Sequence, residues 1–256
     1  MSSTSTMTST TNSEALPRVY SAILSSNPTS SSTSSPPSSP PNAVLATTAS
    51  TLRSLYPLAA RALLQKDFSL AYSLITSAFS ILHPPQSPIL DSLDPHRRKW
   101  DILRLTLETT VFVSPPQSSD PDSLPATLRS NLMLSASSLA ASLHSRSVQL
   151  FTPTMSSESP STAFLPAQIL VVLVLSSLKL ECPDVGRRMT EDWLAQREKV
   201  EYVRNDKEGY EKVVDLFCLH VLPRLHDWEY ARDFLEYESE LPDQSRQVCI
   251  LYLYKA

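Results

Sequence analysis

From about residue 43 onward, apolar side chains return along this sequence at helical intervals. Between Ala43 and Leu82 the pattern predicts a pair of helices. Leu55, Ala59 and Ala62 share a face before the turn Lys66-Asp67-Phe68, and Ala71, Ile75, Ala78 and Leu82 share a face after it. Small side chains at a crossing and a short turn are the signature of a tetratricopeptide-type hairpin, because close helix approach leaves no room for larger groups. One such unit is visible, so the expectation is a hairpin and not a repeat array. Asp94-Pro95 predicts the next start, with Asp94 as N-cap and proline at the first helical position, where its missing N–H costs nothing. Trp100, Leu103, Leu107 and Val111 make the stripe of that helix. Pro125 opens another, with Leu128, Leu132, Ala136, Leu139 and Leu143 on one face.

Ile169 to Leu178 is an almost unbroken apolar run, about half the roughly 18 residues a membrane span needs, and reads as a helix buried all round. A more polar helix with Val185, Met189, Trp193 and Leu194 follows. Asp206 is expected to cap a helix whose face is Tyr210, Val213, Val214, Phe217 and Val221. Asp227 is expected to cap one carrying Tyr230, Phe234 and Tyr237, and a last apolar stretch covers 243–254. Seven or eight helices joined by short connections predict an all-α fold, either an α-solenoid or an irregular bundle, with the tetratricopeptide-like hairpin near its start.

Composition sharpens this picture. Only Gly186 and Gly209 occur, against 21 prolines. Glycine-rich phosphate cradles and glycine-punctuated β-hairpins are therefore excluded. Proline-rich breaks fall at 84–88, 115–125 and 153–166 and cut the helical part into blocks. Residues 1–50 hold 16 Ser, 9 Thr and six Pro with two charged groups, Glu14 and Arg18. Such a segment buries too little apolar area to offset its ordering entropy. The expected division is a disordered Ser/Thr/Pro-rich arm over 1–42, within which Leu16 to Leu24 reads as passive disorder in preference to a short helix or docking motif, and a helical domain over 43–256.

The net charge is −4, and residues 181–246 concentrate the acid with 17 Asp+Glu against 10 Lys+Arg. That balance disfavours nucleic acid as a partner. Arg97, Arg98 and Lys99 read as the solvated first turn of a helix. Cys182, Cys218 and Cys249 form no paired motif and fit a reducing compartment. The first residues lack the basic and apolar regions of a secretory signal. Candidate chemistry is sparse. Cys218 and His220 lie two apart on a helix and point to different sides. His83, His96 and His144 are expected to flank loops singly, His226 to be solvated, and Glu236, Glu238, Glu240 and Asp243 to form an acidic rim. No hydrolase or metallopeptidase motif is present. The expectation is a protein that is not an enzyme, with no cofactor and no metal. Trp228 and Tyr230, interleaved with Glu229 and Arg232, read either as a partner-binding hot spot or as helix packing.

The segment 213–224 (VVDLFCLHVLPR), continued by 227–235 (DWEYARDFL), resembles the fungal tail-anchored peroxisomal docking proteins of the peroxin-twenty-six family. In that family a helix ends in a similar Leu-His-Val-Leu-Pro-Arg run, followed by a turn and a Trp-x-Tyr-Ala-Arg-like helix. The likeness extends weakly over about 45–247, through 68–82, 99–107 and 169–194. It implies an adaptor held on the cytosolic face of the peroxisomal membrane. The adaptor recruits paired AAA ATPases that extract the import receptor for reuse, and anchoring raises the motor's local concentration. The family's anchor is a C-terminal membrane helix, whereas Val248 to Tyr254 gives seven apolar residues before Ala256. The expectation for a chain complete at Ala256 is therefore a cytosolic location. The ATPase surface is expected within 53–112, with Arg97, Arg98 and Trp100 as candidates beside Trp228, Tyr230 and Arg232. The alternative reading is a tetratricopeptide-like scaffold for another protein partner.

Overall fold

The computed structural model describes residues 41–116, 124–155 and 159–255. The expected arm lies outside them except for Pro41 and Asn42, which already belong to the first helix; most of the 115–125 break and the middle of the 153–166 break also lie outside. Every regular element among the described residues is helical. The first hairpin forms as its pattern requires: α1 (Pro41–Leu64) and α2 (Phe68–Phe79) pack on each other, with Ala59, Ala62, Ala71 and Ala78 at most 1% exposed. Asp67 caps α2 by accepting the Leu70 N–H at 3.0 Å. Lys66 closes α1 in the left-handed region at φ 60°, where its N–H reaches the Leu63 carbonyl and the Asp67 N–H reaches that of Ala62. This double closure ends a helix without glycine.

The helix α3 (Asp94–Val113) is the shared wall of the molecule, with α1 and α2 on it from one side and α6 (Ala167–Lys179) from another. Two details differ from expectation. Leu93 occupies the N-cap position and Asp94 lies inside the first turn, where its carboxylate takes the Arg98 Nε at 2.7 Å instead of capping. The apolar stripe is also joined by buried charge. Asp101, fully buried, accepts from Arg104 at 2.9 and 2.5 Å and from the Ser147 hydroxyl at 2.7 Å. Glu108 takes a two-pronged bond from Arg146 at 2.9 and 2.5 Å and one from Asn131 at 2.7 Å. Buried carboxylates need such full pairing, and here it fixes which residues of α4 and α5 face α3.

The helix expected to run on from Pro125 is broken in two, α4 (Ala126–Leu132) and α5 (Ala136–Phe151). Ser135 provides the physical reason, since its hydroxyl accepts the Ser138 N–H at 3.1 Å and starts a new helix. Beyond a 3-10 turn (Thr162–Phe164), α6 enters the core and touches α3, α5, α7 (Pro183–Gln196) and α9 (Lys207–Leu216). It is not buried all round: Ile169, Leu170, Leu173 and Val174 are inside, while Leu175 is 50% exposed. A helix that touches α3 and α9 as well as its chain neighbours α5 and α7 belongs to an irregular bundle rather than a solenoid, whose units touch only adjacent ones.

After a 3-10 turn (Arg197–Lys199) come α8 (Glu201–Arg204) and α9, the latter capped as expected by Asp206 through the Gly209 N–H at 2.9 Å. At Phe217–Val221 the helix widens into a π-turn and resumes as α10 (Leu222–Arg224). Pro223 lacks an N–H for the Leu219 carbonyl and its ring would press on that group, so local widening relieves the conflict. His226, at φ 59°, closes this helix as Lys66 closes α1. α11 (Trp228–Tyr237) and α12 (Asp243–Lys255) complete the bundle. The pieces outnumber the seven or eight expected because Ser135 splits one helix and 197–224 is divided by short irregular turns.

Candidate partner-binding surface

The two groups of residues singled out by sequence have different fates. Arg97 is 2% exposed; its Nε donates to the His83 carbonyl at 2.8 Å and its Nη2 pairs with Asp91. Trp100 is fully buried, edge-to-face with Tyr56 at 5.5 Å between ring centres. Arg98 is half-buried in its bond to Asp94. Of the basic cluster expected to be solvated, only Lys99 is exposed. Arg97 and Trp100 fasten the 83–91 loop and α1 to α3, and neither reaches the surface for a partner.

Trp228, Tyr230 and Arg232 lie on one helix, Trp228 and Arg232 on one flank and Tyr230 on the other. Asp227 places α11 but does not cap it by a side-chain bond. Its carboxylate instead accepts from Arg187 of α7 at 2.7 Å, and the same guanidinium donates to Glu191 at 2.7 Å. The Arg187 guanidinium also lies 5.1 Å from the centre of the Tyr230 ring, a cation–π contact that orients the phenol. Tyr230 is 38% exposed and meets Phe217 edge-on at 6.5 Å. Burial raises the Tyr230 pKa, with Glu191 adding to the shift, so the hydroxyl stays a neutral donor. Ala231 and Leu235 turn inward and tie α11 to the core, while Phe234 packs 5.8 Å from Phe217.

Arg232 stacks over Tyr254 of α12 at 5.6 Å. His226, Trp228, Glu229, Arg232 and Leu253 then line an open cleft of about 560 Å³ between the helix start and α12. On the other flank of α11, Tyr230, Phe234 and Tyr237 line a shallower depression of about 290 Å³. α12 extends this surface. Cys249 and Leu253 face in, and Val248, Leu251 and Tyr252 are 54–60% exposed at spacings of three and four. Sequence reasoning missed that outer stripe, because a run apolar on all sides carries no periodicity to say which face is buried.

Elsewhere, several charged residues are held in structural locks. Three members of the expected acidic rim are engaged, while Glu236 is exposed: Glu238 accepts the Tyr210 hydroxyl at 2.6 Å, Glu240 pairs with Arg197, and Asp243 takes Arg246 at 2.6 Å. Arg197 lies 3.9 Å over the Tyr210 ring, so the 238–240 link to α12 is clamped. Cys218 is buried and His220 exposed, and they do not converge. Burial pushes Cys182 up to about 11, and burial with the Asp215 hydrogen bond pushes Cys249 up to about 12. His144 sits within α5, not beside a loop. Among the described residues, no three His, Cys, Asp or Glu side chains are grouped to hold a metal ion, and no helix is long and apolar enough to cross a membrane. Comparison with protein-family models, curated proteins and solved structures returns no match.

Proposed function

We propose that this protein is a helical adaptor and that it docks partners through the joint surface of α11 and α12. The observation that carries this reading is that α11 presents partner-type side chains on both flanks, Trp228 and Arg232 beside Tyr254 on one and Tyr230 held by Arg187 on the other, with exposed apolar residues on the outer side of α12. Trp, Tyr and Arg on a rigid support are the residue types that dominate binding energy, because little side-chain freedom is lost on contact. The partner class comes from the resemblance of 213–235 to peroxisomal docking proteins. The adaptor would bring a peroxisomal AAA ATPase complex to the cytosolic face of the peroxisomal membrane for import-receptor recycling. The motor supplies the chemistry and the adaptor the location, with no catalytic residue, cofactor or nucleic acid of its own.

The direct test is binding of the purified chain to the purified peroxisomal ATPase subunits with and without ATP. Tyr230→Ala or Trp228→Ala should weaken binding by roughly 30-fold, corresponding to about 2 kcal/mol for an aromatic anchor. Unchanged affinity in both variants would remove the surface from the proposal.

A second reading, a scaffold for an unrelated peptide, is favoured by one observation. A cleft of about 800 Å³ is lined by apolar groups including Ile89, Leu90, Phe164, Val200 and Tyr202, far from α11 in sequence. Loss of binding in Ile89→Asp with full binding in Tyr230→Ala would favour that reading.

A further inference from the structure

Ser159 and Pro160 are exposed on the wall of a polar cleft of about 620 Å³, whose other sides are α5, the end of α7 and the 3-10 turn after it. His144, Gln149, Thr162, Asp192 and Lys199 face this space. The acceptors here are already engaged. Asp192 accepts from the Thr162 hydroxyl at 2.7 Å through one oxygen and from Gln196 Nε2 at 2.6 Å through the other. The Gln196 carbonyl in turn accepts from Ser161 at 2.9 Å. Two nitrogens remain without an acceptor. Lys199 makes no ion pair among the described residues, and the buried Nε2 of His144 has no hydrogen-bond partner. Burial lowers the His144 pKa, and Asp192, the acidic group that lines the cleft, opposes that shift.

We propose that Ser159 is a phosphoacceptor for a proline-directed protein kinase, and that its phosphate seats in this cleft on Lys199 Nζ and His144 Nε2. A residue before proline is held to extended backbone, the form in which a kinase cleft receives a peptide, and Ser159 lies outside any helix. In the transfer, Ser159 Oγ attacks the γ-phosphorus of ATP. The Oγ–P bond forms as the bond from that phosphorus to the β,γ-bridging oxygen breaks. ADP leaves with the bonding pair, and the hydroxyl proton passes to the kinase's base. The product carries a charge of about −1.5 to −2 and three acceptor oxygens. Lys199 pairs with it directly, and the new anion favours imidazolium at His144, which then donates. Asp192 is the one opposing charge in the cleft, and its two hydrogen bonds disperse it. The phosphate would clamp the 159–164 segment to α5 and to the 197–199 turn. Ser87-Pro88 offers no equivalent: Ser87 is half-buried beside a narrow space shared with the carboxylates of Asp91 and Asp94.

The test treats the full chain with ATP and a proline-directed kinase, maps the product by mass spectrometry, and follows phosphorus NMR and the His144 ring protons against pH. Phosphate should appear on Ser159 and be absent from Ser159→Ala. Its second ionisation should lie at least half a unit below the ordinary value of about 6 and return to it in Lys199→Gln, while the His144 midpoint rises by roughly one unit. Three results would overturn the proposal. Ser159 could stay unmodified while other Ser-Pro sites react. Its phosphate could titrate at about 6 with and without Lys199. Millimolar inorganic phosphate could shift His144 equally in the unmodified chain, which would make the cleft a free-anion site.

Discussion

Gly186→Ala isolates the close crossing of α7 and α6. A Cβ built on Gly186 of α7 would lie 2.3 Å from the Ser177 hydroxyl oxygen of α6, with the next atoms, Ser177 Cβ and Val174 Cγ1, at 3.5 and 3.6 Å. Ser177 is fully buried and its hydroxyl donates to the Val174 carbonyl at 2.7 Å, so it has no empty space to move into. Overpacking of this kind costs about 1–3 kcal/mol, while alanine in place of an interior helical glycine returns about 0.5–1. Gly186→Ala alone should therefore destabilise by roughly 1–2 kcal/mol. The sign should reverse in a Ser177→Ala background. With the hydroxyl gone, the remaining contacts are ordinary van der Waals distances and only the helix gain is left, a stabilisation of about 0.5 kcal/mol or more. Urea unfolding of the four chains followed by circular dichroism gives the coupling, expected near 2 kcal/mol. Equal destabilisation by Gly186→Ala in both backgrounds would refute the crossing geometry.

Further predictions follow from the caps, the buried charges and the thiols. Lys66→Gly, Glu181→Gly and His226→Gly each relieve a left-handed side-chain residue at φ 58–60° and should each raise unfolding stability by about 0.5–1 kcal/mol in urea titration. Asp101→Ala strands Arg104 in the interior and should cost about 3–5 kcal/mol, whereas Arg188→Ala, whose bridge to Asp184 is on the surface, should be near neutral in the same assay. The raised pKa values of Cys182, Cys218 and Cys249 mean that the unfolded chain releases thiol protons first as pH rises. Their stabilisation is complete below the ordinary thiol range and is lost between it and about 11–12, read as a falling melting temperature in alkaline buffers. In the folded chain a thiol reagent at neutral pH should modify none of the three until denaturant is added.

The helical hairpin of α1 and α2, and the sequence helix–turn–helix from Val213 to Leu235, could be read from residues alone because periodicity and turn chemistry agree there. The errors arise where a side chain found a distant partner. Arg97 looked solvated because nothing local balances it; Asp91 and the His83 carbonyl, brought by a returning loop, allow it inside. Asp227 looked like a cap until Arg187, forty residues away in sequence, claimed its carboxylate. The break between α4 and α5 turns on one serine hydroxyl against a continuing apolar stripe, and local hydrogen bonding won. At the partner surface, Trp228, Tyr230 and Arg232 were legible as residue types. Their support by Arg187 and Tyr254, and the outward stripe of α12, are products of packing that no local pattern encodes.

The central claim, an adaptor docking through α11 and α12, is tested most directly by titrating the full-length chain with purified peroxisomal AAA ATPase, in the native form and as Tyr230→Ala. The account predicts saturable binding that depends on ATP and weakens by roughly 30-fold in the variant, while circular dichroism shows both chains equally helical. A folded native chain that binds no ATPase with or without ATP, or a Tyr230→Ala chain that binds as tightly as the native one, would contradict it.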